Sequence, residues 1–402
     1  MSPSSSLVSE RADALSATEP GRRLFAYLDA IDYDRRAVEP NALDFTFGNP
    51  HDMPAAAYVA ALQHALIPQH PGWFGYQSYQ PAAQGSAAAS LRRLTGLPFA
   101  PDDILLTTGG FSALALGLKL VADPGDEVIF NLPPWFFYEG LALDAGLIPV
   151  KVGIDPGTLD LDLDAIAAAI TPRTRIFIIN TPNNPTGRIY PPTTLRRLAA
   201  LLDAASARNG RRIMLLSDEA YNRIVFSDQQ FHPPAAYYPY TLVAYSYGKT
   251  LLAPGQRIGY LALPPNLPER EALRPAARQV QMMMGCAYPN ADLQYALPDL
   301  EGQVIDLAQV ERRRDLLVGQ LTQMGYQVRR PEGTFYLFPR SPDPDDVGFA
   351  QRLADAGILV VPGTVFETAG FFRICLTASD AMCERALPGF AAAIRDTPAV
   401  AV

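Results

Sequence analysis

The sequence predicts an α/β protein that combines a mostly parallel sheet with a smaller α+β domain. From residue 104 onward, short apolar runs alternate with helix-like stretches; in order, the runs are ILLTTGG, EVIFNLPP, IPVKVGI, RIFIINTP, RIMLLSDEAY, TLVAYSYGK and RIGYLALPP. They are apolar on both faces, which is typical of strands buried in a parallel sheet. After about residue 300 a long helical stretch precedes short strand-like runs, an order that indicates an α+β domain.

Helical stretches connect the predicted strands. One of them, PTTLRRLAALLDAASARNG, starts at prolines and ends at Gly210, residue types that favour the start and the end of a helix. A length of 402 residues favours two domains. We expect a large domain at residues 49–295 and a small C-terminal domain at residues 296–402. Residues 1–48 are too few for a core of their own and are expected to pack with the small domain.

The composition disfavours several classes of function. A formal net charge of −8 argues against a nucleic-acid partner. The cysteines (Cys286, Cys375 and Cys383) are odd in number and lack the spacing of metal ligands or of a disulfide framework. The N-terminus lacks the apolar core of a secretory signal, and no apolar run reaches the about 20 residues that span a membrane. We therefore expect a soluble, cytoplasmic protein without a metal site.

Four motifs stand at or just after predicted strands: TTGGFSAL at 107–114, NNPTG at 183–187, DEAY at 218–221 and SYGK at 246–249. In open α/β sheets, ligands bind at the carboxyl ends of the strands. Each motif alone has an ordinary interpretation, since NPTG is a good turn sequence and DEAY suits a helix N-terminus. In order and spacing, however, the four together resemble the class I/II aminotransferases, pyridoxal-phosphate enzymes of fold type I that include aspartate aminotransferase. The resemblance runs from about Gly48 to Arg373 and implies a mostly parallel sheet of seven strands.

The resemblance implies roles for the motif residues. Lys249 matches the lysine that forms the Schiff base with pyridoxal phosphate and, once displaced by an amino acid, moves the substrate's α-proton. Asp218 matches the carboxylate that keeps the cofactor's ring nitrogen protonated. Tyr221 and Asn184 match the donors to its phenolate oxygen. Lys249, Asp218 and Tyr221 are thus the expected catalytic residues.

The resemblance also implies a phosphate site. The backbone N–H groups of Gly110 and Phe111 open a predicted helix, whose dipole favours an anion. Ser246 and Arg257 match the family's phosphate-binding hydroxyl and guanidinium. Many relatives carry a hydroxyl side chain within the first motif, where this chain has Gly-Gly-Phe, and Ser112 can compensate.

Aromatic residues are expected around the cofactor. In NLPPWFFYEG, Trp135 matches the side chain that stacks on the cofactor ring, although adjacent aromatics also suit core or interface packing. In relatives, a tyrosine from the neighbouring subunit of a homodimer touches the phosphate. Tyr76 is preferred for this role over Tyr79 because of its distance from the first motif.

The substrates implied are an amino acid and a 2-oxo acid. Arg373, in GFFRICLTA, matches the arginine that binds the α-carboxylate through two parallel hydrogen bonds. Gly48 and Asn184 match positions beside the same carboxylate, although a glycine before Asn-Pro also suits a turn.

The substrate's side chain is expected to meet apolar residues, namely Phe45, Phe47, Phe74 and the run Met282 to Met284. Such a lining favours a neutral or apolar donor over aspartate. The methionines have an alternative role in packing a helix on the core. No second arginine for a side-chain carboxylate is evident, and Arg274 and Arg278 are only nearby in sequence.

The predicted function is a pyridoxal-phosphate-dependent aminotransferase. The same residues are compatible with β-elimination, cyclisation or oxidation of an amino acid. A non-catalytic, cofactor-binding sensor is a further alternative, but no basic helix-turn-helix segment precedes the fold.

Overall fold

The computed structural model describes residues 7–395, so the predicted domains extend beyond the described residues at both ends. The strands are β1 Leu43–Asp44, β2 Ile104–Thr107, β3 Glu127–Asn131, β4 Ile148–Val152, β5 Thr174–Asn180, β6 Met214–Asp218, β7 Thr241–Ser246, β8 Gly259–Ala262, β9 Tyr336–Leu337, β10 Ile358–Leu359, β11 Val361–Pro362 and β12 Phe372–Cys375. The helices are α1 Glu10–Ser16, α2 Glu19–Ala30, α3 Tyr33–Arg36, α4 Ala56–Ala65, α5 Pro81–Thr95, α6 Gly110–Val121, α7 Tyr138–Asp144, α8 Leu163–Ala169, α9 Pro192–Asn209, α10 Tyr247–Thr250, α11 Arg270–Met283, α12 Ala291–Leu300, α13 Leu307–Met324, α14 Asp346–Asp355 and α15 Asp380–Arg395.

The main sheet has seven strands in the order β2-β8-β7-β6-β5-β3-β4. Strand β8 runs antiparallel to both of its neighbours, and the remaining neighbours pair in parallel. This confirms the predicted α/β class with a mostly parallel sheet of seven strands.

Helices cover both faces of the main sheet. Along β5, Ile176 and Ile178 pack into a core with residues of α5 and α6. The intervening Phe177 and Ile179 pack on the opposite face with residues of α8 and α9. All four side chains are buried. This two-residue alternation between two apolar layers explains why the predicted strands are apolar on both faces.

A second set of strands lies in the C-terminal part of the chain. Strands β11, β12 and β9 form an antiparallel sheet, and β1 from the N-terminal segment pairs in parallel with β10. The Tyr27 hydroxyl of α2 donates a hydrogen bond to the Val360 carbonyl oxygen at 2.9 Å. Helix α12 packs against α4 and α5. The domain boundaries at residues 48 and 295 stay a prediction.

Two structural features are absent from residues 7–395, the part of the chain that the structure describes. In that range no helix combines the length and apolar character that crossing a bilayer requires. The same range contains no group of three or more histidine, cysteine, aspartate or glutamate side chains arranged to hold a metal ion.

A buried ion pair supports the segment that carries α10. Arg223 Nη2 lies 2.5 Å from Glu301 Oε1, and these side chains are 11% and 5% exposed. Tyr247, the first residue of α10, donates its hydroxyl hydrogen bond to the other carboxylate oxygen. The Arg223 guanidinium also lies 4.7 Å from the ring centroid of Tyr245. The pair therefore joins the loop after β6 to α10 and to the end of α12.

We predict that Glu301→Ala lowers the free energy of unfolding by about 3–5 kcal/mol, because it leaves the Arg223 guanidinium buried without a counter-charge. The control is Asp203→Ala, which removes an exposed pair with Arg212 and should cost less than about 1 kcal/mol. Urea unfolding of both variants measures the difference. Equal losses would contradict this account of the buried pair.

Candidate active site

A cavity of about 370 Å³ lies where β5, β6 and β7 end. Its polar lining comprises Asn180, Asn184, Asp218, Tyr221, Ser246, Lys249 and Arg257. Its apolar lining includes Leu24, Phe25, Leu28, Phe47, Phe111, Leu114, Trp135, Phe136 and Phe137. The cavity thus brings together most of the site residues predicted from the four motifs.

Strand register explains why distant motifs meet here. Asn180 at the end of β5 pairs with Asp218 at the end of β6, and Asp218 pairs with Ala244 of β7. The Asn180 side-chain amide donates a hydrogen bond to the Asp218 carbonyl oxygen at 3.0 Å. Ser246 ends β7 and Lys249 follows on α10. Parallel pairing therefore collects the polar strand ends at one edge of the sheet.

Lys249 differs from the other two lysines of the chain. Lys119 Nζ lies 2.8 Å from a carboxylate oxygen of Asp144. Lys151 Nζ lies 3.0 Å and 2.9 Å from carboxylate oxygens of Glu139 and Glu367. Lys249 forms no ion pair with any residue in the range 7–395.

The electrostatic surroundings of Lys249 favour the neutral amine. Burial lowers its pKa to about 8 from the ordinary 10.5, and the positive charges of Arg373 and Arg257 contribute to the decrease, while Asp218 opposes it. The Lys249 nitrogen also lies 6.0 Å from the ring centroid of Tyr221. An amine in this state can act as a nucleophile or a base near neutral pH.

Asp218 is held in a fixed position at the floor of the cavity. The Tyr138 hydroxyl donates a hydrogen bond to Asp218 Oδ2 at 2.5 Å, and the Ala220 backbone N–H donates to Oδ1 at 3.3 Å. Burial raises the pKa of Asp218, and these two hydrogen bonds oppose the increase. No sequence signal indicates Tyr138 as a partner of Asp218, because 80 residues separate the two and no motif joins them.

Arg373 is buried without a carboxylate partner among the described residues. It donates hydrogen bonds to Asn184 Oδ1 at 3.1 Å and to the Thr46 carbonyl oxygen at 2.7 Å. Its Nε has no partner in the described part of the chain. The guanidinium lies 4.2 Å from the ring centroid of Tyr336, whose hydroxyl accepts a hydrogen bond from Tyr221 at 3.3 Å.

Two glycines make room beside Ser246 and Arg257. Gly109 has φ +89°, and a Cβ there would lie 2.7 Å from Arg257 Nη2. A Cβ on Gly110, the first residue of α6, would lie 3.0 Å from the Ser246 Cβ. Any larger residue at Gly109 would therefore displace the guanidinium and strain the backbone.

Gly48 and Ser112 occupy different surroundings. A Cβ on Gly48 would lie 2.6 Å from the Phe335 ring and 3.2 Å from the Tyr336 hydroxyl, so this position is sterically restricted. Ser112 Oγ and Thr108 Oγ1 are hydrogen-bonded at 2.6 Å. Ser112 lines a neighbouring cavity and not the one that contains Lys249.

An aromatic wall faces the polar strand ends. The ring centroid of Phe111 lies 5.0 Å from that of Trp135 and 5.3 Å from that of Phe137. Leu24 and Phe25 of α2 also line the cavity. These two residues could not be predicted from the sequence, because the N-terminal helix carries no motif and meets the cavity only through the tertiary fold.

Tyr76 and Tyr79, the two tyrosines considered for contact with the neighbouring subunit's phosphate, lie outside the cavity in this chain. Tyr76 is fully exposed, whereas Tyr79 is buried and donates its hydroxyl hydrogen bond to Gln281. Arg274 and Arg278 also lie outside, and each has an acidic partner, Asp103 at 2.7 Å and Asp102 at 3.9 Å respectively.

The predicted side-chain lining needs correction. Of the residues named for it, only Phe47 lines the cavity. Phe45 is fully buried in the C-terminal core, and Phe74 is 60% exposed outside the cavity. Met282 and Met283 are also exposed. Short apolar stretches do not indicate which side chains face a cavity, because that depends on helix orientation and on long-range packing.

Known proteins resemble this chain over nearly its whole length. Residues 40–390 match the family described as Aminotransferase class I and II. The aspartate/prephenate aminotransferase of Thermus thermophilus is 32% identical over 389 residues, 94% of this chain and 97% of that protein. That of Cereibacter sphaeroides is 33% identical over 331 residues, 76% of this chain and 80% of that protein.

Solved structures agree with this family. An amino transferase from Eubacterium rectale superposes with a TM-score of 0.89 at 28% identity, covering 97% of this chain and 99% of that chain. The aspartate aminotransferase of Thermus thermophilus superposes with a TM-score of 0.82 at 29% identity, covering 96% and 99%. These matches confirm the family and fold type predicted from the motifs. The chain belongs to the class I and II aminotransferases and is a pyridoxal-phosphate-dependent transaminase of fold type I, which moves an amino group from an amino acid to a 2-oxo acid.

Proposed function

We propose that Lys249 is the residue of this transaminase that holds pyridoxal phosphate covalently and then moves the substrate's α-proton. One observation carries the proposal: the half-buried Lys249 lines the same cavity as Asp218 and forms no ion pair in the described range, while the other two lysines are paired with carboxylates. When bound, the cofactor supplies an electron sink for negative charge at the α-carbon. A pKa near 8 suits an amine that accepts and returns a proton close to neutral pH.

Asp218 is proposed to hold the proton on the cofactor's ring nitrogen. A buried carboxylate beside a pyridine nitrogen stabilises its protonated form. The hydrogen bonds from Tyr138 and from the Ala220 N–H counteract the rise in pKa that burial alone would cause. Tyr138 is therefore proposed as a positioning residue that keeps Asp218 ionised and oriented.

The phosphate is proposed to bind at the start of α6. The N–H groups of Gly110 and Phe111, the Ser246 hydroxyl and the Arg257 guanidinium supply its donors. The fit is supported by the absence of a Cβ at Gly109 and Gly110, because a Cβ at either position would occupy space beside these donors.

The remaining polar groups suit the phenolate oxygen and the substrate carboxylate. Asn184 Oδ1 accepts a hydrogen bond from Arg373, so the Asn184 NH₂ group is oriented to donate to the phenolate oxygen. The Tyr221 hydroxyl, which donates to Tyr336 in this structure, is proposed to turn to the same oxygen when the cofactor binds. Arg373, buried and without a carboxylate partner in the described range, is proposed to bind the α-carboxylate beside Gly48. Trp135 is proposed to cover the cofactor ring, since it lines the same cavity.

Aspartate is a candidate for the amino donor besides the neutral or apolar amino acid that the sequence predicts. The Thermus thermophilus relative is named for aspartate and prephenate, and one structure of the aspartate aminotransferase of that organism was solved with maleate. An acidic donor requires a cation for its second carboxylate. The cations that line the cavity are Lys249 and Arg257, and both already have other proposed roles.

We further propose a homodimer with shared active sites, in which the exposed Tyr76 reaches the phosphate of the neighbouring subunit. Two-fold dimers are the commonest assembly of soluble proteins. A location in the cytoplasm stays a prediction.

We predict that Lys249→Ala abolishes the visible absorption band of the cofactor-loaded protein and lowers transaminase turnover by at least about 10²–10⁴-fold, because no other amine lines the cavity. The control is Lys119→Ala, which removes a lysine that pairs with Asp144 outside this cavity. This variant should preserve both the absorption band and the turnover. Absorption spectra and turnover of the two purified variants are compared. An unchanged absorption band in Lys249→Ala would contradict the assignment of Lys249 as the residue that holds the cofactor covalently.

We predict that the rate at which the cofactor-free protein binds pyridoxal phosphate rises with pH up to about 8 and then levels off. The sign follows from the lowered pKa: the amine is neutral above about pH 8, whereas an ordinary lysine is still protonated there. Stopped-flow absorbance measures the rate, with a free lysine derivative as the control. A protein rate that still increased at pH 10, as for the control with a pKa of about 10.4, would contradict the buried amine.

We predict that the protein sediments as a dimer. We also predict that Tyr76→Phe lowers the affinity for the cofactor by about tenfold or more, because a hydrogen bond to the charged phosphate is lost. Tyr237→Phe serves as a control at a partly buried tyrosine outside the cavity. A fully active monomer would refute the shared site.

A further inference from the structure

We propose that the amino donor carries a large apolar side chain, aromatic or branched aliphatic, and that Phe25 of α2 determines this preference by covering it. The inference rests on the proposed function, because it places the donor's α-carboxylate at Arg373 and its α-carbon near Lys249. It goes beyond the family assignment, which names no donor for this chain.

The cavity is divided into a polar and an apolar side. Its polar groups come from the strand ends and from the segment that contains α10. The opposite side is formed by α2, by α6 and by residues 135–137, and every side chain that these elements contribute to it is apolar. Arg373 does not itself line the cavity but donates a hydrogen bond to Asn184 on its polar side. A donor held by Arg373 and Lys249 is therefore proposed to direct its side chain towards this apolar wall.

No unpaired cation stands at the apolar side. Apart from Asp218, Tyr221, Lys249 and Arg257, no titratable side chain of the described residues lines the cavity. A neighbouring cavity of about 560 Å³ contains two more cations. One of them, Arg22, pairs with Glu19.

The other cation, Lys119, lies 2.8 Å from a carboxylate oxygen of Asp144. Among the described residues of this subunit, a second carboxylate on the donor would therefore lose its hydration without gaining a free counter-charge. An apolar side chain in the same place would bury surface that water otherwise covers.

The aromatic wall has the geometry to contact a ring. Phe111 meets Trp135 edge-on, with an interplanar angle of 78°. Phe136 and Phe137 are 4.7 Å apart between ring centroids, again in an edge-to-face arrangement. With Trp135 covering the cofactor ring, the rings of Phe25, Phe111 and Phe137 remain available to a donor ring, and aromatic pairs prefer offset or edge-to-face contacts.

Four phenylalanines separate the cavity that contains Lys249 from the neighbouring cavity. Phe25, Phe111, Phe136 and Phe137 line both the cavity with Lys249 and the neighbouring one. Phe25 and Phe111 are the exposed members of this set, so rotation of these two side chains can accommodate a branched or ring-containing side chain, while Phe136 stays packed in its core.

Phe25 is held in place but not buried. Its neighbour Leu24 is 2% exposed and packs with Val365 and Phe366 of the C-terminal part of the chain. Arg23 of the same helix donates a hydrogen bond to the Thr364 carbonyl oxygen at 3.4 Å. Helix α2 is thereby anchored, while Phe25 itself is 58% exposed and lines the cavity. Its ring is available to a ligand that covers it.

The test is calorimetric binding of two unreactive carboxylates to the cofactor-loaded protein, 3-phenylpropanoate and succinate. We expect 3-phenylpropanoate to bind about tenfold more tightly than succinate, or more. We expect Phe25→Ala to lower the affinity for 3-phenylpropanoate roughly tenfold and to leave the affinity for succinate unchanged. The matched control is Asp29→Ala, at an exposed position on the same helix, and it should change the affinity for neither ligand. Tighter binding of succinate, or equal losses for both ligands in Phe25→Ala, would overturn the proposal.

Half-reaction rates with phenylalanine, leucine and aspartate separate this proposal from the one on which it rests. Faster reaction of phenylalanine or leucine than of aspartate supports it, and a faster reaction of aspartate overturns it. If no donor reacted while 3-phenylpropanoate still bound more tightly, the proposed role of Lys249 would fail and the apolar subsite would stand, because binding does not require turnover.

Discussion

The pairing register of three parallel strands underlies the whole site. Because β5, β6 and β7 end at one edge of the sheet, Asn180, Asp218 and Ser246 meet there although they are far apart in sequence. Helix α10 begins directly after β7 and brings Lys249 to the same edge. A shift of β6 by one residue would turn Asp218 to the opposite face of the sheet and separate it from the lysine.

The electrostatic balance of the cavity follows from this arrangement. Desolvation lowers the pKa of Lys249 and raises that of Asp218, so burial alone would neutralise both groups. The Tyr138 hydroxyl and the Ala220 N–H support the charged form of Asp218. Lys249 has no comparable partner in the described range. The pKa of Asp218 therefore stays raised by burial, with the two hydrogen bonds limiting the rise, while the lowered pKa of Lys249 favours the neutral amine.

Sequence analysis predicted the fold class and most polar members of the cavity, because both depend on local signals. Buried parallel strands are apolar runs, and strand-end motifs keep a recognisable spacing. The apolar side was predicted poorly. Phe47 was identified, but Phe45 belongs to the C-terminal core, and Phe25 comes from a helix without any motif. Which apolar side chain faces a cavity depends on long-range packing, and sequence periodicity does not encode this.

The central claim is that Lys249, of the three lysines in the chain, binds the cofactor covalently. The most direct measurement is borohydride reduction of the cofactor-loaded protein, followed by proteolysis and mass spectrometry of the peptides. The account predicts a reduced cofactor adduct on the peptide that contains Lys249 and unmodified Lys119 and Lys151. An adduct on either of those two lysines, or no adduct at all, would contradict it.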